Sequence, residues 1–182
     1  MRNLGSGKWI AIIIVVVGLL VLGVNQFYVH VMAQPWSKEQ LAINSAQEKA
    51  DIVSVTRTFN SVWTDTSTYW VVEGKNTAQE DLMVWVKFNI DGSVAEGANA
   101  VHVEKTAGTV TYEKVNALLQ NDLPGAEAVR IVPGSFKGKY AWQVFAKLNE
   151  RYYYIFYNFR DGAKLSEPME LPATLKGTGQ ED

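Results

Sequence analysis

The chain contains no cysteine. That excludes disulfides, thiolate nucleophiles and zinc sites built on Cys. Histidine is almost as scarce, with only His30 and His102, and two distant imidazoles do not make a ligand cluster. His102 sits in "VHVEK", where alternation places it on the strand face opposite its flanking valines. No G-x-S-x-G or S-x-x-K run marks a serine nucleophile, and Ser135 in "PGSFKG" reads as a turn residue. No D-x-D-x-D-G loop suggests calcium. Gly5-Ser6-Gly7-Lys8 lacks the upstream glycine and preceding strand of a phosphate loop, and Trp9 replaces its Ser/Thr. The carboxylate pairs Glu80-Asp81 and Glu167/Glu170 fall in loop-like stretches and read as solvated surface, not as a glycosidase pair. Charge is balanced, with 17 Lys+Arg against 19 Asp+Glu, so the dense basic face of a nucleic-acid binder is missing. No catalytic residue, cofactor or metal is expected.

What the chain has is apolar and aromatic residues. It is 47% hydrophobic and 12% aromatic, with six Trp and eight Tyr among 182 residues. That length suits one ordinary domain or two small ones. Residues 9–29 carry no charge, and "WIAIIIVVVGLLVLGV" is almost wholly apolar. At a rise of about 1.5 Å per residue, such a run spans about 30 Å, the thickness of a bilayer core. Trp9 and Phe27-Tyr28 flank it as interfacial aromatics. Arg2 and Lys8 are the only charges ahead of it, so the rest is more acidic than the chain's net −2. The positive-inside rule puts residues 1–8 in the cytoplasm, 9–29 across the membrane and the remainder outside. The alternative is a cleaved signal peptide ending at Ala33, with Val31 at the −3 position. Its apolar core would be unusually long, and both readings export residues beyond 33. An exported chain without Cys fits an envelope that does not rely on disulfides, as in many Gram-positive bacteria.

Beyond the apolar run, hydrophobic periodicity gives one order of elements twice. Ser37 and Gln40 form a capping-box pattern for a helix to about Ala50. The period then shifts to two in "DIVSVTRTFNSVW", "TYWVVEG" and "LMVWVKFNI", three strands. Asp91-Gly92 makes the next turn, and "SVAEG" and "AVHVEK" are weaker strands. Thr109 or Thr111 caps a second helix to about Asn121, which Leu123-Pro124-Gly125 ends. "AEAVRIVPG", "KYAWQVFAKLN" and "RYYYIFYNFR" are again strands, followed by Asp161-Gly162. The fold expected is α+β: a membrane helix, then two repeated helix-plus-antiparallel-meander domains over residues 30–107 and 108–172. Residues 173–182 form a polar tail.

Tyr69-Trp70-Val71-Val72-Glu73-Gly74, a polar loop, then Leu82-Met83-Val84-Trp85-Val86 resemble the TseB-like family of cell-wall elongation regulators. "MAQ" past the apolar run and the closing aromatic strand before Asp161-Gly162 are similar too. The resemblance implies a bitopic membrane protein with two PepSY-like, cystatin-like extracellular domains. It implies a non-enzymatic accessory regulator of an elongation penicillin-binding protein, and no catalytic residues. The chain departs from the family in a longer first strand region and in its polar tail. The alternative function is a PepSY-type inhibitor or sensor of an extracellular protease. A wall-polymer hydrolase would require two close carboxylates in a pocket.

Setting Asp91 against Asp161 pairs Val84 and Val86 with Tyr154 and Phe156, a face expected to lie under the helices. It pairs Trp85 and Lys87 with Ile155 and Tyr157 on the opposite face, which one helix cannot also cover. On this alignment Trp85, Lys87, Tyr153 and Tyr157 are expected on a partner-binding surface, unless the two domains pack those faces together.

Overall fold

A computed structural model describes residues 15–22, 24, 38–63 and 68–172. Residues 15–22 and 24 are helical, with exposed side chains such as Leu19, Leu20 and Leu22. The other residues of the expected membrane helix, Ser37 and the tail 173–182 lie outside the described residues. No helix among the described residues is long and apolar enough to cross a membrane.

Residues 41–172 fall in one compact unit. Helix α1 covers residues 38–50. The next four strands are β1 (Ile52–Val62), β2 (Thr68–Asn76), β3 (Asp81–Phe88) and β4 (Val101–Lys105). Helix α2 (Tyr112–Asp122) precedes β5 (Glu127–Phe136), β6 (Lys139–Leu148), β7 (Arg151–Asn158) and the short β8 (Met169–Glu170). The strands form two antiparallel four-stranded sheets, each in sequential order. The expected strands are all present except "SVAEG", which contributes only a bridge between Phe88 and Val94. β8, unanticipated, pairs with β7 through Tyr154 and Met169. Thr111 caps α2 by accepting a hydrogen bond from the Lys114 amide.

Each sheet packs one face under its own helix, called here the front face. In the first repeat Ala42 and Ala46 of α1 cover Trp70, Val72, Val84, Val86 and Phe88. In the second, Val115 and Leu119 of α2 cover Trp142, Val144, Ala146, Ile155, Tyr157 and Phe159. Trp70 stands opposite Val86, and Trp142 opposite Tyr157. Those two pairs align the repeats, making Val84, Val86 and Phe88 the counterparts of Ile155, Tyr157 and Phe159.

This alignment differs by one residue from the one the Asp-Gly pairs suggest. The first turn reads Phe88-Asn89-Ile90-Asp91-Gly92 and the second Phe159-Arg160-Asp161-Gly162. The first is therefore one residue longer. Both turns are otherwise alike. The Gly92 and Gly162 amides donate to Asn89 O and Asn158 O. Asp91 and Asp161 each accept from the backbone two residues on, and both glycines take the positive φ these turns need. Because strand side chains alternate, a slip of one exchanges the two faces. Tyr154 and Phe156 are accordingly not under α2; Ile155 and Tyr157 are.

The first sheet's other face, its back face, is where the repeats meet: its β1 end packs on the second sheet's back face, while Trp85 and Met83 pack with the second sheet's front-face residues Trp142 and Phe159. β1 and β5 are edge strands of their sheets and pack on each other. At Gly134 a Cβ would collide with the Ser61 hydroxyl, so only glycine permits this approach. Ser61 Oγ donates to Gln143 Oε1 at 3.2 Å, both buried. Trp85 Nε1 donates to Gly134 O at 2.9 Å. Trp63, beyond the end of β1, packs edge-on against Phe136, Tyr154 and Phe156 of the second repeat.

Candidate functional site

The four residues expected at a partner surface separate. Trp85 and Tyr157 are both 0% exposed. Trp85 packs against Tyr140 and Phe159, with ring centroids 5.1 and 4.7 Å away. Tyr157 lies under α2, and its hydroxyl donates to Asp122 Oδ2 at 2.8 Å. Burial pushes the Tyr157 phenol far above its ordinary pKa, and the Asp122 acceptor adds to this. Neither side chain is available to a partner, so for these two the surface expectation is corrected. For Trp85 the cause is the covering second repeat; for Tyr157 it is the one-residue slip, which assigned β7 to the wrong face. Lys87 and Tyr153 are half-buried. Tyr153 sits beside β8, its hydroxyl 3.4 Å from Glu170 Oε2.

A polar junction closes one side of the repeat interface. Arg160, from the second Asp-Gly turn, donates to both oxygens of Glu104 on β4, at 2.9 and 2.7 Å. Glu104 Oε1 also lies 2.9 Å from His102 Nε2. The His102 ring stacks on Tyr140, with centroids 3.8 Å apart and planes within 5°. Burial alone would raise the Glu104 carboxyl, but hydrogen bonds from Arg160 and His102 outweigh it and hold the group below its ordinary value. Burial, then the neighbouring Tyr69 and Glu104, push the Tyr140 phenol up.

A cleft of about 330 Å³ opens where the linker before α2 passes over the first sheet's back face. Phe59, Met83, Ile131 and Trp142 make its apolar floor, and Thr106, Thr109 and Glu113 contribute to its rim. Arg57 on its wall is held by Glu73, with Nε to Oε2 at 2.9 Å and Nη2 to Oε1 at 3.4 Å. No group of three or more potential metal ligands occurs among the described residues.

Half of the second sheet's back face stays partly exposed among the described residues. Phe145, Lys147, Tyr152 and Tyr154 share that half by register, since Phe145 stands opposite Tyr154 and Lys147 opposite Tyr152. Met169 and Leu171 extend it on the far side, through the pairing with Tyr154 and the hydrogen bond that the Leu171 amide donates to Tyr152 O. Arg130 extends it on the near side, opposite Phe145. Phe145 and Tyr152 stack with centroids 5.2 Å apart, and Phe145 and Tyr154 lie 5.0 Å apart. Tyr152 is 41% exposed and Leu171 36%. This row was within reach of the sequence. Aligning on Phe88 and Phe159 in place of the Asp-Gly pairs would have grouped Tyr152 and Tyr154 with Phe145.

Residues 42–87, from α1 through most of β3, match the family model of the cell wall elongation regulator TseB-like domain. The match bears out the family resemblance of the sequence. The fold is similar to that of the YpmB protein from Bacillus subtilis, with a TM-score of 0.61 and 17% identity. That likeness covers 72% of this chain and 96% of the YpmB chain. No curated protein sequence matches.

Proposed function

We propose that the chain is a non-enzymatic, membrane-anchored extracytoplasmic regulator of cell-wall elongation. The observation that carries the reading is the TseB-like match over residues 42–87. The uncharged run at residues 9–29 would hold the protein as a single-pass anchor, with residues 1–8 in the cytoplasm and both sheets outside. Confinement to the membrane raises its effective concentration near other membrane proteins. The two sheets, locked together by buried contacts at Gly134 and Trp85, would act as one rigid body that docks on a penicillin-binding synthase and biases its active state.

Crosslinked pull-down from intact cells, paired with cell-shape measurement after deletion, tests this. Recovery of an elongation-class penicillin-binding protein and altered cell elongation are expected. Recovery of an extracellular protease instead, with unchanged shape, would contradict it and favour a PepSY-type inhibitor.

A further inference from the structure

The two repeats can be compared residue by residue at the uncovered end of their back faces. After a register shift in each first strand, Arg57 stands opposite Glu73 and Arg130 opposite Phe145. Glu73 in turn faces Met83, and Phe145 faces Tyr154. Lys75 faces Asp81, and Lys147 faces Tyr152. The two arginines and the two lysines are therefore equivalent pairs, while Glu73 and Asp81 are replaced by Phe145 and Tyr152.

The consequence is an arginine without its acid. In the first repeat Glu73 grips Arg57 with two hydrogen bonds, and Asp81 lies 2.7 Å from Lys75. In the second, Lys147 finds Glu150 at 3.0 Å, but Arg130 has no ion-pair partner among the described residues. In the first repeat's half-face, Met83 and Phe59 share a cleft with Thr106, Thr109 and Val110 of the linker. The second repeat leaves Tyr152 and Leu171 exposed there.

We infer that this half-face docks an apolar, carboxylate-bearing segment of another protein. The segment lays apolar side chains on Phe145, Tyr152, Tyr154 and Met169 and supplies to Arg130 the carboxylate that Glu73 supplies to Arg57. The first repeat is the internal precedent for the forked carboxylate on the arginine. Arginine suits this role because its planar fork engages both carboxylate oxygens. Tyrosine, phenylalanine and methionine beside an arginine form the composition of interface hot spots. The inference rests on the docking reading above but does not depend on which protein is the partner.

The test is photo-crosslinking in living cells with the full chain. A benzoylphenylalanine replaces Tyr152 or, as a control on another surface, the half-exposed Tyr112. A protein adduct is expected at position 152 and not at 112. It should fall at least tenfold with Arg130→Glu, and equally with Phe145→Glu, which offers Arg130 an internal carboxylate like that of Glu73. Circular dichroism of both variants checks folding; Arg130 is exposed, so Arg130→Glu remains informative if Phe145→Glu unfolds. No adduct at 152, or one indifferent to Arg130→Glu, would overturn the inference. An Arg130-dependent adduct with a protein unrelated to wall synthesis would leave it standing and overturn the regulator reading instead.

Discussion

The back faces of the two sheets began from the same plan and ended differently. In the first sheet Val71, Met83 and Trp85 are sealed by the second repeat, and the remaining end is held by ion pairs beside the linker. In the second sheet the half near Phe136 and Phe156 is covered by Trp63, and the other half is partly exposed among the described residues. The other half exchanges two carboxylates for aromatic rings. Acids opposite Arg57 and Lys75 keep a surface soluble and self-satisfied. Rings opposite Arg130 and Lys147 leave apolar area and an unmatched charge, which is what an interface requires. A duplicated domain thus uses one copy of a face to hold itself together and the other copy to present a surface.

The sharpest contrast should be in stability. Trp85→Ala removes a fully buried ring and its bond to Gly134 O, and should cost about 3–5 kcal/mol in denaturant unfolding. Tyr152→Ala, on the open half-face, should cost about 1 kcal/mol or less. If the two costs were equal, the distinction between sealed and open faces would fail. Gly134→Ala forces a methyl onto the Ser61 hydroxyl and should cost about 1–3 kcal/mol. Gly138→Ala, with nothing near its Cβ but a positive φ, should lose less and leave the junction between the repeats unchanged.

The polar junction gives a pH signature. Glu104 titrates below the ordinary carboxyl value of 4.5 in the folded protein. Its ionised form therefore contributes stability above that value, and the contribution is lost as pH falls through the lower folded pKa. Glu104→Gln should lower stability across the neutral range and flatten the acid limb of the stability–pH curve, the two proteins converging at low pH. An acid limb with the wild-type slope would show that the carboxylate does not couple the repeats. The smallest effect separates the two arginines. Arg57→Ala should cost about 0–1 kcal/mol, because the Arg57 side chain in its pair with Glu73 is 64% exposed. Arg130→Ala should change stability immeasurably, and an equal loss at both would mean that Arg130 is not free.

Most of the fold could be read from the residues. Alternation marked seven of the eight strands, the Thr111 cap marked α2, and the Asp-Gly turns exposed the duplication. β8 escaped because a two-residue strand has no periodicity to detect. The candidate surface was half legible. An uncovered face on the second sheet is expected from the sequence, but Ile90, one added residue in the first turn, shifts β7 by one and exchanges Tyr152 and Tyr154 for Tyr153 and Tyr157. A marker outside a strand sets the parity of that strand only if no residue is inserted between them. The burial of Trp85 was invisible for another reason. It depends on Gly134, far along the chain, letting the second sheet's edge approach, and no local pattern reports such a contact.

The most direct measurement is the affinity of the full chain, reconstituted in lipid nanodiscs, for the extracytoplasmic domain of the cell's elongation-class penicillin-binding protein. It would be taken for the wild type and for Tyr152→Ala. The account predicts saturable binding that weakens at least tenfold on truncation of Tyr152, with the fold intact. Binding of equal strength in both proteins would contradict the assignment of the second sheet's open face.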